Sequence, residues 1–126
     1  DGNYMKELEK AVIHSIPKPT ALVLNYPNNP TALTADLDFY GQVVDFCRYH
    51  GIYILSDLAY AELYFDGNPP PSILEVPGAR EIAVEFTSMS KSYSMPGWRI
   101  GFAIQCSFYC QFYNNWQLLP CSIYLL

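Results

Sequence analysis

The sequence predicts an α/β fold with a mostly parallel sheet, and three observations carry that prediction. Short apolar, β-rich runs recur at residues 20–25, 52–55, 81–87 and 100–104. A stretch with helical spacing separates the first two. The first three runs end in polar, turn-forming residues rather than in further apolar ones.

Taken in order, residues 4–14 set Leu8, Val12 and Ile13 among charges, the pattern of a short helix stopped by Pro17 and Pro19. The run TALVLN at 20–25 reads as a buried strand that ends at the turn-forming YPNNPT. Residues 36–50 repeat Leu37, Tyr40, Val43, Val44 and Cys47 at helical intervals. Acidic residues come early, Arg48 comes late, and Gly51 is positioned to end the helix. A second strand follows at 52–55, with Ser56 and Asp57 at its exit, so strand, helix and strand form one parallel crossover unit. Residues 66–79 are rich in Pro and Gly and are expected to be irregular apart from one helical turn at 72–75. Strand character returns at 81–87, ending at SMSK, and again at 100–104.

Composition bounds the function. Half of the 126 residues are apolar, enough to build the core of one domain. A net charge of −5 with only 7 Lys and Arg excludes the clustered basic face that nucleic acid requires. Cys47, Cys106, Cys110 and Cys121 form no C-x-x-C pair, so no metal site is expected, and the thiols suit a reducing, cytoplasmic compartment. No secretory or transit pattern is visible. Residues 105–126 carry no charge and are crowded with Phe, Tyr, Trp and Cys. Gln105, Gln111, Asn114, Asn115 and Gln117 interrupt them too often for a membrane span. This segment is expected to be a buried element of a larger domain or a non-homologous end, distinct from residues 1–104.

Ligands of open α/β sheets bind beyond the carboxyl ends of the parallel strands. The polar clusters of this sequence fall there: Asn29 after the first strand, Asp57 and Tyr60 after the second, and Ser88, Ser90 and Lys91 after the third. Arg99 precedes the fourth. The set suits a pyridine cofactor bearing an aldehyde, a phenolic oxygen and a phosphate. A lysine amine condenses with the aldehyde, and a carboxylate at the ring nitrogen keeps it protonated. Tyr and Asn can hydrogen-bond the phenolic oxygen, while hydroxyls and a guanidinium can hold the phosphate. Plainer readings exist: a surface lysine, an Asp57 helix cap, an Asn29 turn, Tyr60 core packing, an Arg99 ion pair, and local backbone bonds for Ser88 and Ser90.

The stretch SMSKSYSMPGWRIG at 88–101 resembles the cofactor-lysine signature of class I aminotransferases. NYPNNPT at 25–31 and DLAY at 57–60 are similar to that family's other large-domain motifs, in the same order. The resemblance covers residues 4–104 and implies part of the three-layer α/β/α large domain of a fold-type I pyridoxal 5'-phosphate enzyme. It implies Lys91 as the Schiff-base lysine and proton shuttle, Asp57 at the pyridine nitrogen, and Tyr60 and Asn29 at the phenolic oxygen. Ser88, Ser90 and Arg99 would hold the phosphate. The implied reaction is transamination between an amino acid and a 2-oxo acid by a cytoplasmic homodimer, without metal, nucleic acid or membrane. Glutamate–pyruvate (alanine) and LL-diaminopimelate aminotransferases are the most similar subgroup. The resemblance also implies a cis Asn29–Pro30 bond. Ala32 departs from the Gly that many members carry after the NPT motif. The alternative is a truncated, non-catalytic chain that binds or dimerises, since no group for the substrate carboxylate is identifiable and the chain alone is expected to be inactive.

Overall fold

The computed structural model describes residues 3–105 and 122–125. Helix α1 spans Tyr4–His14 and turns Val12 into the core. Strand β1 (Ala21–Asn25) follows, then helix α2 (Leu37–His50) and strand β2 (Tyr53–Asp57). Two 3₁₀ turns, Ile73–Glu75 and Ala79–Glu81, lead to β3 (Ala83–Ser88). The four-residue helix α3 (Met89–Ser92) and a 3₁₀ turn at Pro96–Trp98 precede β4 (Gly101–Gln105), and β5 is Ser122–Leu125. Of the segment 105–126, residues 106–121 lie outside the described residues.

Local chemistry fixes the helix ends. The Asp36 carboxylate accepts the Phe39 N–H at 2.7 Å, so α2 begins at a filled cap. Gly51 closes it in the left-handed region at φ 68°, where its N–H reaches the Arg48 carbonyl at 3.3 Å. The expected turn at 72–75 is present as a capping box. Ser72 Oγ accepts Leu74 N–H at 3.1 Å, while Ser72 N–H donates to Glu75 Oε1 at 2.8 Å.

The five strands lie in chain order, with β1, β2 and β3 parallel. Helix α2 provides the crossover that the β1–β2 pair needs. The fourth run runs the other way: β4 pairs antiparallel with β3, and β5 antiparallel with β4. A compact connection over 89–100 is too short to carry the chain back to the start of the sheet, so it returns in the opposite sense.

Side chains alternate across the sheet. Leu22, Leu24, Ile54 and Ala83 join Val12 of α1 and Tyr40, Val43, Val44 and Cys47 of α2 in one core cluster. Tyr40, Leu24, Ile54 and Ile73 are its largest fully buried members, each contributing about 1.5–3 kcal/mol of burial. On the opposite face Val23 is 67% exposed. Both long helices pack on one side, so the described residues supply two of the three layers the resemblance implies. No helix among them is long and apolar enough to cross a membrane.

Candidate functional site

The three parallel strands end level. Asn25 pairs in register with Asp57, and Asp57 with Phe86, so the loops leaving β1, β2 and β3 emerge at one edge. That edge gathers most of the residues singled out from the sequence.

The loop after β1 is held by its own asparagines. Asn28 Nδ2 donates to Asn25 Oδ1 at 3.0 Å, and Thr31 Oγ1 donates to Asn28 Oδ1 at 2.7 Å. Main-chain bonds from Asn28 N to Leu33 O (2.9 Å) and from Ala32 N to Asn28 O (2.8 Å) close the loop. The Asn29–Pro30 bond is cis, as are Tyr26–Pro27 and Ile16–Pro17. Ala32 stands at φ 56°, in the left-handed region. That explains the departure noted above: glycine adopts this conformation without penalty, whereas a Cβ costs on the order of 1–2 kcal/mol.

Asn29 Nδ2 donates to the Tyr60 hydroxyl at 2.9 Å, joining loops 31 residues apart. The Lys91 amine lies 6.0 Å from the centroid of the Tyr60 ring, at the outer range of a cation–π contact. Asn29, Tyr60 and Lys91 therefore meet, although each comes from a different loop. Among the described residues none bonds or ion-pairs with the lysine amine.

Asp57 and Ser88 form a second group. Both line a recess of about 400 Å³ with Val23, Leu55, Phe86 and Thr87. Asp57 Oδ1 accepts the Ala59 N–H at 3.1 Å, an Asx turn that fixes the carboxylate at the strand exit. Its other oxygen has no partner among the described residues. Ser88 caps α3, its Oγ accepting the Ser90 N–H at 3.2 Å, and Ser90 is tied to the site through that bond. Arg99 sits apart from this gathering. It occupies the left-handed region at φ 54°, and its guanidinium donates only to the Pro96 carbonyl, at 3.4 Å. Among the described residues no hydrogen bond joins it to Ser88 or Ser90.

Two residues behind the edge were not singled out from the sequence. Gly101 pairs with Ser88, and a Cβ on it would meet the Thr87 carbonyl oxygen at 2.9 Å. Glu85 is only 4% exposed, inside an apolar core. Burial pushes its carboxyl up, while hydrogen bonds from Ser72, Ile73 and Ser56 pull it back. The signal for Glu85 was alternation: a glutamate two residues from the buried Ala83 must share its face. Burial likewise raises the Tyr40 phenol, with Glu85 and Tyr26 adding to the effect. The described residues contain no cluster able to hold a metal ion.

The family model "Aminotransferase class I and II" matches residues 2–122. The chain is 64% identical over 104 residues to the putative aminotransferase AatC of Rhizobium meliloti, covering 82% of this chain and 26% of that protein. It is 47% identical over 102 residues to the glutamate-pyruvate aminotransferase AlaC of Escherichia coli, covering 81% and 25%. The solved aromatic aminotransferase of Pyrococcus horikoshii superposes with a TM-score of 0.70 at 30% identity, over 79% of this chain and 26% of that one. The chain thus spans about a quarter of the length of these relatives. With the matching model running over nearly its whole length, the chain belongs to the class I and II aminotransferase family.

Proposed function

We propose that this chain carries the cofactor-anchoring part of an aminotransferase, with Lys91 as the covalent attachment point. Class I aminotransferases depend on pyridoxal 5'-phosphate. When bound, that cofactor supplies an aldehyde carbon that takes up amines and a ring that accepts electrons. The observation that carries the reading is the meeting of Asn29, Tyr60 and Lys91 from three separate loops at one sheet edge.

The donor set fits the group. Asp57 keeps one carboxylate oxygen uncommitted, a fixed negative charge suited to a protonated ring nitrogen. The Tyr60 hydroxyl, already receiving the Asn29 amide, can still donate its own proton to a phenolic oxygen, and Asn29 retains a second N–H. Ser88 and Ser90 carry hydroxyls suited to a phosphate, and Arg99, bonded here to Pro96, carries the guanidinium the resemblance assigns to the same group. With the cofactor bound, the Lys91 amine would be the group placed to hold and move a substrate proton as general acid and base. The whole protein would exchange an amino group between an amino acid and a 2-oxo acid, as a homodimer.

Incubation with pyridoxal 5'-phosphate, borohydride reduction and peptide mapping test the assignment. The label is expected on Lys91 and lost in Lys91→Ala; a label on Lys6, Lys10 or Lys18 instead would overturn it. Assayed alone with alanine and 2-oxoglutarate, the chain should not turn over, because no described residue is assigned to the substrate carboxylate, whose orientation is worth about 7 kcal/mol or more of barrier in favourable cases.

A further inference from the structure

Behind the site lies a carboxylate that the proposed chemistry does not use. Glu85 is 4% exposed and points into the layer between sheet and helices. Its Oε1 accepts the Ser72 hydroxyl at 2.7 Å and its Oε2 the Ile73 N–H at 3.1 Å. Ser56, its register partner on β2, sets a further hydroxyl beside this carboxylate and favours its charged form. The Ser72 hydroxyl and the Ile73 N–H both donate to Glu85. The Ile73 N–H can only donate, and the Ser72 hydroxyl, while its oxygen accepts Leu74 N–H, has its own proton to give to the carboxylate.

What these neighbours belong to gives the arrangement its meaning. Ser56 immediately precedes Asp57 on β2. Ser72 and Ile73 begin the 3₁₀ turn that ends the long segment carrying Tyr60. Glu85 itself sits on β3, which runs on to Ser88 and Lys91. One buried group is thus bonded to the far end of the Tyr60 segment and, through its own strand and that strand's pairing with β2, joined to the lysine turn and to Asp57. Residues 58–72 are otherwise held by few long-range bonds: Leu58 N–H to Phe86 O at 2.8 Å at one end, and the Asn29 amide at Tyr60. Ile73 is itself fully buried in the core cluster, so packing and the two Glu85 bonds together hold the far end of the segment.

We propose that Glu85 is a positioning residue of the site, its carboxylate clamping the Tyr60-bearing segment against the strands that carry Asp57 and Ser88. The part of this inference that concerns cofactor binding rests on the functional reading above; the clamp itself does not.

Glu85→Gln tests it. The amide keeps the size but replaces one acceptor oxygen with a donor, setting an N–H against either Ile73 N–H or a serine hydroxyl. Hydrogen exchange on the whole chain without cofactor is the first readout. Ala59 and Ala61, whose amides bond to Asp57 Oδ1 and Leu58 O, should exchange tenfold or more faster in the variant, and the Asn29 side-chain amide resonance should shift as its Tyr60 bond loosens. Core amides such as Ile54 should stay within about twofold. Acceleration confined to Ile73 and Leu74 would show a merely local role, and a uniform rise through the core a merely global one; either overturns the clamp. Should Glu85→Gln fail to fold, Ser72→Ala removes one donor and should give the same pattern at smaller amplitude, and its absence is equally fatal. The second readout is titration with pyridoxal 5'-phosphate, where Glu85→Gln should bind about tenfold more weakly. If the segment loosens but affinity holds, the clamp does not serve the site. If the parent chain fails to bind the cofactor, the functional reading falls, while the exchange data still decide the clamp.

Discussion

Two glycine-to-alanine changes should have opposite effects, and the sign comes from space rather than from propensity. At Gly41, in the body of α2, nothing lies within 4 Å of an added Cβ. Alanine there should stabilise by about 0.8–1.0 kcal/mol, the helix-interior difference between the two residues. At Gly101 the new Cβ would sit 2.9 Å from the Thr87 carbonyl oxygen, a backbone atom held in the β3–β4 ladder that cannot swing aside. Overpacking of this kind costs about 1–3 kcal/mol, and the entropy gained by removing glycine offsets about 0.5–1 kcal/mol of it. The net expectation is a loss of about 0.5–2 kcal/mol. For a chain of this size each 1 kcal/mol moves Tm by roughly 3–6 °C, so thermal unfolding of the two variants beside the parent resolves the difference. Because Gly101 pairs with Ser88, its variant should also label more weakly at Lys91 under borohydride. A Gly101→Ala protein as stable as Gly41→Ala would show that β4 is not packed against β3 as described.

Further expectations follow from the caps and the buried groups. Asp36→Ala removes the acceptor for Phe39 N–H and should cost about 1 kcal/mol in denaturant unfolding, whereas Asp36→Asn should restore most of it. Burial pushes the Cys47 thiol up to about 11, which leaves on the order of one thiolate in a thousand at pH 8. Peptide mapping after alkylation should find Cys47 unmodified in the folded protein and modified in urea. Burial, with a smaller contribution from Glu75, raises the Glu85 carboxyl above the ordinary value of 4.5 against the hydrogen bonds that favour its charged form. Between the ordinary and the raised value the folded state binds more protons than the unfolded one, so this group's contribution to stability declines as pH rises through that window. The stability difference between the parent and Glu85→Gln should therefore shrink from about pH 4 upward, and a difference that grows instead would reverse the assignment.

What the sequence made legible was what neighbours in the chain decide. The Gly51 stop and the Ser72–Glu75 turn each depend on residues within one turn of each other, and each is present, while Asp36, read as the first helical residue, is instead the cap. Strand existence was legible for the same reason, but the direction of β4 was not, because it depends on how a short connection folds back against β3. The meeting of Asn29 and Tyr60 across 31 residues followed from strands ending at a common edge, a topological rule that says which loops converge without saying which atoms touch. Arg99 marks where such reasoning stops: its position next to β4 was visible, but its left-handed backbone and outward bond to Pro96 were not. Glu85 was overlooked because a charged residue in a strand reads as a surface position until its partners are known.

For Asp57 and Ser88 the plain structural reading and the proposed chemical one turn out not to compete. Asp57 acts as a turn acceptor rather than as the helix cap of the plain reading, taking Ala59 N–H on one oxygen, and Ser88 does make a local backbone bond, taking Ser90 N–H. Each of these bonds uses an atom that the chemistry does not need. A carboxylate has a second oxygen, and a hydroxyl that accepts still has its proton to give. The local bond also removes the side chain's freedom to rotate, an ordering cost that a ligand would otherwise meet on binding. A residue whose turn bond holds it still while its reactive atom stays free is pre-organised, and this is the arrangement a cofactor site requires. On this argument Asp57→Asn, which keeps the turn acceptor and loses the charge, should leave the fold unchanged and weaken only the chemistry at the ring nitrogen. Asp57→Ala should in addition loosen residues 58–61. Equal effects of the two substitutions on hydrogen exchange at Ala59 would show that the turn and the charge are not separable.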